Sequence, residues 1–326
     1  MSQKIIKVAI VGYGNVGRGV YQAIKRNPDM ELAGIISRRP GDISLEVPES
    51  NVYSPDNFEK LEADVAILCG GSAKDLPVQG PSFLRSLNTV DSFDTHANIP
   101  EYFARMNAIA RENKHVAIIS AGWDPGTFSL ERVLGDAFIP GSSRFTFWGP
   151  GVSQGHSDAI RKVEGVADAV QYTLPIQETL DIVRTGSNPQ LTTREKHRRD
   201  CYVALKSGAD PETVKQAIVT MPNYFSDYNT MVAFESPEEV SGRKKQMPHG
   251  GFVMTSGVTG DGNKALIEYR NQWKSNPEAT GSILIACARA NYRLQQDNKF
   301  GAFTMLDIPP AYLSPHSQEE LLKEFM

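Results

Sequence analysis

Short apolar runs and helical stretches alternate through the first third of the chain. The runs cover residues 7–11, 31–37, 64–69, 88–91 and 115–120, and the clearest helical stretches between them are 15–26 and 100–113. Strands and helices alternating at this length predict a parallel, doubly wound sheet. Later runs end in polar or glycine-rich sequence: Gly70-Gly71-Ser72, Ser92-Phe93-Asp94 and Ala121-Gly122-Trp123-Asp124. Ligands of such sheets bind beyond the carboxyl ends of the strands, so these segments are the expected rim of a site. Beyond residue 124 the rhythm changes. Residues 144–148, 167–174, 197–205 and 229–235 read as longer strands rich in β-branched and aromatic side chains, with helical patterns at 175–185 and 211–219. This predicts a second, α+β domain with a mixed sheet, one face of which is covered by helices. Two glycine-rich loops, 149–156 and 248–262, stand out within it. Segment 301–310 is strand-like until prolines break it, and is expected to return to the first domain.

The first run passes directly into a fingerprint. Residues 8–17 read Val-Ala-Ile-Val-Gly-Tyr-Gly-Asn-Val-Gly, an apolar strand feeding into G-x-G-x-x-G. Gly12 permits the tight turn, Gly14 lets backbone approach a pyrophosphate, and Gly17 lets the following helix pack on the strand. The helix N-terminus then offers N–H groups and a positive dipole to phosphate. The second strand ends in Ser37-Arg38-Arg39, where an NAD site would carry an acid for the ribose 2′-hydroxyl. Guanidinium groups there pair with a 2′-phosphate instead, so the expected cofactor is NADP(H). The organisation that follows is α/β: a Rossmann-type, doubly wound dinucleotide-binding domain over residues 1–123, rejoined by 302–326, and a second α+β domain for substrate over 124–301.

Composition narrows the function classes. The chain has 326 residues, 40% hydrophobic and 22% charged, which suits a globular protein of about two domains. A net charge of −4 lacks the basic footprint of a general nucleic-acid binder. No apolar stretch approaches the roughly 18 residues needed to span a bilayer, and Gly12 and Gly14 interrupt the only candidate for a signal-peptide core. Cys69, Cys201 and Cys287 are odd in number and far apart, giving neither a disulfide framework nor a metal spacing. A cytoplasmic protein without a metal site is expected.

Chemistry concentrates at the strand ends. Asp94 and Asp124 follow the fourth and fifth strands, facing the nicotinamide end of the expected cofactor. A nicotinamide enzyme acting on an amine needs a carboxylate there to neutralise an ammonium and to accept its proton. Either Asp could instead cap the helix that follows it. Trp123 and Trp148 stand beside these positions, as walls of the site or as core. The loop from Gly149 to Asp158 suits a carboxylate cradle, or a plain turn into a helix capped by Ser157. Strand alternation puts Arg199 on the face of Cys201 and Val203, where it needs an anion, while Arg198 forms a surface pair with Asp200. His249, flanked by Pro248 and two glycines, is expected in a loop.

These segments, with Thr146-Phe-Trp-Gly-Pro-Gly151, Ser153-Gln-Gly-His-Ser-Asp158, Gln171-Tyr-Thr-Leu-Pro175, Met247-Pro-His-Gly-Gly251, Asn276-Pro277 and Gly301-Ala-Phe-Thr304, resemble the meso-diaminopimelate D-dehydrogenases over essentially the full length. The resemblance implies NADP-dependent, reversible oxidative deamination of meso-2,6-diaminopimelate at its D-centre to L-2-amino-6-oxopimelate, ammonia and NADPH, in lysine and diaminopimelate biosynthesis. It implies a homodimer formed through the second domain. It assigns Asp94 and Asp124 to the D-centre amine, with Trp123 and Trp148 nearby, and Gln154, Gly155, Thr173, Arg199, His249 and Asn276 to the distal L-centre. The cofactor set expected alongside is Gly12, Tyr13, Gly14, Asn15, Val16, Ser37, Arg38, Arg39, Cys69, Gly70, Ser72, Ala73, Asp75, His96, Trp123, Pro125 and Gly126. The rivals are another two-domain NADP reductase, which would want its own lysine- or histidine-rich motif, and a non-catalytic NADPH sensor, which would need no paired aspartates.

Overall fold

The structure is a computed structural model describing residues 4–43, 47–48, 51–55, 57, 61–245 and 247–326. Along the chain run β1 (Ile6–Val11), α1 (Asn15–Ile24), β2 (Met30–Ile36), β3 (Val52–Tyr53), β4 (Val65–Leu68), α2 (Leu76–Phe83), β5 (Asn88–Asp91), α3 (Ile99–Asn113), β6 (Val116–Ile118) and α4 (Thr127–Phe138). Then come β7 (Ser143–Trp148), β8 (Gly151–Val152), α5 (Gln154–Arg161), β9 (Val166–Pro175), α6 (Gln177–Arg184), α7 (Thr193–Lys196), β10 (His197–Leu205), α8 (Pro211–Val219), β11 (Asn229–Phe234), α9 (Pro237–Lys244), β12 (His249–Thr259) and β13 (Asn263–Trp273). Last are α10 (Asn276–Gln296), β14 (Gly301–Phe303), α11 (Pro310–Leu313) and α12 (Gln318–Phe325). The chain forms two compact units, Met1–Leu130 with Pro277–Met326, and Glu131–Asn276.

In the first unit seven parallel strands lie in the order β14-β6-β5-β4-β1-β2-β3. Strand alternation divides their side chains between two cores. Val8, Ile10, Val65 and Ile67 pack with Val20 and Ile24 of α1 and with Leu284, Ile285 and Ala288 of α10. Ala9, Val11, Ala66 and Leu68 pack with Leu76 and Phe83 of α2 and with Tyr102 and Met106 of α3. Burial on both faces is why β1 and β4 read as almost unbroken apolar runs. The strand order reverses between β1 and β4, which opens the crevice where doubly wound sheets bind dinucleotides. No helix among the described residues is long and apolar enough to cross a membrane.

The second unit holds two sheets where the sequence pattern suggests one. β11-β10-β9-β8 is mixed, with β10 and β11 parallel; β13-β12-β7 is antiparallel. Helices cover both faces of the mixed sheet. Ala169, Cys201 and Val203 meet Ile160 of α5 and Val214 and Ile218 of α8, while Val170 and Ala204 meet Val240 of α9. Segment 248–262 is not a loop: most of it is β12, and only the turn to β13 is irregular. Two of its glycines, Gly250 and Gly257, mark crowding: a Cβ on Gly257 would lie 2.8 Å from Ile139 Cγ2.

Candidate active site

The cofactor elements of the first unit meet at the β1/β4 crevice. Gly12 adopts φ +92° and its N–H donates to Ile36 O at 2.9 Å, so the turn is tied to the end of β2. A Cβ on Gly17 would lie 2.2 Å from Gly12 O, which is the close helix–strand packing that the fingerprint requires. Gly14 is the N-cap of α1, whose first turn holds no acidic residue, and a Cβ there would meet nothing within 4 Å. That end of α1 is therefore open to a diphosphate. Asn15 and Val16 begin the helix, while Tyr13 turns back along it, its ring 6.1 Å from that of Tyr21. At the end of β2, Ser37 Oγ accepts the Arg39 N–H at 3.0 Å, and both arginines are exposed. Arg38 reaches Asp75 at 3.4 Å, and Asp75 also accepts the Gly71 N–H at 2.9 Å. Asp75 thus ties Arg38 to the segment after β4, which also carries Cys69, Gly70, Ser72 and Ala73. Burial pushes the Cys69 thiol up to about 12, leaving it neutral.

Asp94 and Asp124 lie beyond the adjacent strands β5 and β6. Ser72 Oγ accepts the Asp94 N–H at 2.9 Å and contacts Thr95 Oγ1 at 3.2 Å. Asp94 is exposed, with His96 two residues on, and it does not occupy a cap: α3 has Asn98 as its N-cap. Asp124 precedes a helix that starts at Thr127 rather than at Pro125. The segment between closes on itself, because a Cβ on Gly126 (φ +135°) would lie 1.9 Å from Gly122 O. Trp123 is buried, its ring 4.3 Å from that of Phe128. Among the described residues no cluster of His, Cys, Asp or Glu could hold a metal ion.

The second unit brings its candidates into a row. Arg199 of β10 sits opposite Thr173 of β9, which sits opposite Gly151 of β8. A Cβ on Gly151 would lie 2.5 Å from His249 Nδ1, so the imidazole rests directly on that backbone. His249 opens β12 rather than lying in a loop, and Val152 N–H donates to Pro248 O at 3.0 Å. Asn276 N–H donates to Met247 O at 2.8 Å, bringing it beside the same turn. Gln154 and Gly155 open α5 and are exposed, and the cap of that helix is Ser153, not Ser157, which is buried inside it. Arg199 is only 6% exposed. Its guanidinium donates to Thr173 Oγ1 and lies 4.0 Å over the Tyr228 ring, while its Nε has no hydrogen-bond partner among the described residues. Nor has it an ion pair among them, and burial lowers its pKa.

His197, against Trp148, and Tyr228, against Arg199, are not singled out by the sequence. His197 Nε2 accepts the Trp148 N–H at 2.8 Å and its ring stacks on the indole at 5.2 Å. Burial, followed by the charge of Arg199, pushes His197 down to about 3, so it stays a neutral acceptor. An unusual His-Arg-Arg-Asp strand is the only available signal; nothing in the sequence marks Tyr228.

Residues 122–275 match the family model described as the diaminopimelic acid dehydrogenase C-terminal domain. The meso-diaminopimelate D-dehydrogenase of Lysinibacillus sphaericus is 54% identical, over 98% of this chain and 99% of that protein. A solved structure of an engineered D-amino acid dehydrogenase bound to NADP+ has a TM-score of 0.85 and 40% identity, covering 99% of this chain and 100% of that one. Another, a Clostridium tetani meso-diaminopimelate dehydrogenase variant with DAP, has a TM-score of 0.93 and 48% identity, covering 98% of this chain and all of that one. Six residues are substituted in that variant, and this chain carries the six unsubstituted types at the same numbers: Gln154, Thr173, Arg199, Pro248, His249 and Asn276. Pro248 is the one of the six that sequence reasoning leaves out. At 54% identity over 98% of its length to such a relative, the chain is a member of the meso-diaminopimelate D-dehydrogenase family.

Proposed function

We propose that this chain catalyses the reversible oxidative deamination of meso-2,6-diaminopimelate at its D-centre, giving L-2-amino-6-oxopimelate, ammonia and NADPH. The observation that carries the substrate assignment is Arg199, a buried guanidinium with no carboxylate partner among the described residues. Such a cation demands an anion, and the distal carboxylate of a diamino diacid supplies one. Thr173, His249 and Asn276, clustered around the same row, orient that end, with Gln154 and Gly155 at the adjoining helix start. Both ends of a meso compound have the same groups and opposite handedness, so the end being oxidised is selected by how the other end is held.

Asp94 and Asp124 take the ammonium of the D-centre. When bound, NADP supplies the hydride acceptor. One carboxylate accepts a proton from the ammonium nitrogen as the carbon–hydrogen bond breaks, and the other keeps the site charge-balanced. Water then adds to the substrate C=N and ammonia departs. Trp123 and Trp148 limit the access of other water. On the cofactor side, the open N-terminus of α1 holds the diphosphate and Arg38 and Arg39 pair with the 2′-phosphate. A homodimer is part of the same proposal, to be checked by light scattering, and the free thiols Cys69, Cys201 and Cys287 suit a reducing, cytoplasmic setting.

The test is NADPH absorbance with NADP and meso-diaminopimelate, using LL-diaminopimelate and D-lysine as controls. A rise with the meso compound, and little with the LL form, is expected. A flat trace would sink the assignment in favour of a non-catalytic NADPH sensor.

A further inference from the structure

We propose that Asp91, the last residue of β5, is a positioning residue for the reaction, holding in one arrangement the two loops that carry Asp94 and Asp124. The inference rests on the roles assigned to those two carboxylates above. Asp91 is fully buried. Its Oδ1 accepts two backbone N–H groups, from Phe93 at 3.0 Å and from Ser120 at 3.1 Å. Phe93 immediately precedes Asp94, and Ser120 starts the segment that runs through Trp123 to Asp124. The carbonyl of Asp91 adds a third tie, accepting the Ala121 N–H at 2.8 Å. Its Oδ2 accepts the Tyr102 hydroxyl at 2.8 Å. One side chain therefore fixes the departure of both loops from adjacent strands.

Two further observations separate this from ordinary packing. Ser120 adopts φ +54°, a backbone conformation that side chains other than glycine rarely take, and its N–H is one of the two that Asp91 holds. Asp91 also has no ion pair among the described residues, only neutral donors, and burial raises it to about 6 in spite of them. A buried carboxylate without counter-charge weakens a fold. An apolar side chain would fill the space at less cost but could not accept from two loops at once. The ring of Phe93, stacked on Tyr102 at 4.3 Å, closes the same small assembly from the other side.

The experiment compares Asp91→Ala, Asp91→Asn and Tyr102→Phe in the full chain, measuring kcat, NADP affinity and Tm. Asp91→Ala loses the shared acceptor, and kcat should fall by about 100-fold, the scale of loss for ångström misplacement of reacting groups. Asp91→Asn keeps a weaker oxygen acceptor and should fall by only about tenfold. Tyr102→Phe leaves Oδ1 and both loop ties intact; it should lower Tm while kcat stays within about twofold and NADP affinity is unchanged throughout. If Asp91→Ala does not fold, Asp91→Asn against Tyr102→Phe decides. Parental kcat in the Asp91 variants, or an equal loss in Tyr102→Phe, overturns the proposal. Asp94→Asn and Asp124→Asn run alongside. If both keep their kcat, the assignment of the pair is wrong and the Asp91 proposal goes with it; if they lose kcat while the Asp91 variants do not, the Asp91 proposal alone fails.

Discussion

Arg199 and His197 stand two residues apart on β10, and only one is legible in the sequence. Period-two alternation puts Arg199 among Cys201 and Val203, and all three are buried on that face. Its chemistry follows from being a buried cation with no carboxylate partner among the described residues. Arg199→Met should cost meso-diaminopimelate about 2–3 kcal/mol in kcat/KM, since a hydrogen bond to a charged group is lost. Simple D-amino acids, lacking the distal carboxylate, should lose far less, and an unchanged preference between them would refute the pairing. His197 is hidden from sequence reasoning because its work depends on Trp148, 49 residues earlier, whose N–H it accepts. The fold holds it neutral by pushing it from 6.5 to about 3. A histidine depressed in the fold contributes stability above pH 6.5 that drains away as pH falls from 6.5 towards 3. His156, lowered to about 4 mainly by burial, acts the same way, whereas Asp91, raised to about 6, stabilises at low pH and loses that contribution between about 4 and 6. His197→Gln keeps an acceptor but removes one titration, so the acid fall in Tm between about pH 7 and 5 should be shallower than in the parent. Equal slopes would show that His197 is protonated in the fold as easily as in the unfolded chain.

Elements are legible where local sequence decides them. The parallel strands declare themselves as apolar runs, whereas the helices that start at Thr192, Ser236 and Ser317, whose S/T-x-x-E capping boxes close in the structure, are not among the elements expected above. β12 is hidden because Gly250 and Gly257 serve the close approach of neighbouring segments, a reason that a single strand cannot reveal. α10 lacks a clean polar face, with ten buried residues along its 21, so its period is faint in sequence. Cofactor choice belongs to this scale too, because it depends on how one strand ends. At the close of β2, Arg38 and Arg39 are exposed, with Asp75 steering Arg38 from the next loop. An exposed pair of this kind adds little to stability and leaves the guanidinium available. Replacing both arginines by alanine should weaken NADP by about 100-fold while NAD changes little, measured as Kd by fluorescence titration. Equal weakening of both cofactors would remove the 2′-phosphate role.

At the scale of the molecule, residues 131–276 form one continuous unit, whereas the other is assembled from the chain's two ends. Arg289 of α10 shows what the returning segment contributes. Fully buried, it grips Asp29 through Nε at 2.6 Å and a terminal nitrogen at 2.9 Å, and it also holds Asn27 Oδ1 and Leu313 O. Arg289→Met leaves Asp29 buried without its cation and should cost about 3–5 kcal/mol in urea unfolding; a loss below about 1 kcal/mol would mean that the pair is not formed in solution. Nothing in the sequence links positions 260 residues apart, and only the strand-like residues after Gly301 hint at the return. That discontinuity has a consequence for birth on the ribosome. β14 adds to the edge of a sheet whose neighbouring strand β6 was made roughly 180 residues earlier, so the nucleotide-binding unit stays unfinished while the inserted unit is already complete. A nascent chain halted before residues 277–326 would expose the open flank of β6 and the bare face beneath α10, and this is the stage at which the protein most needs a chaperone's shelter.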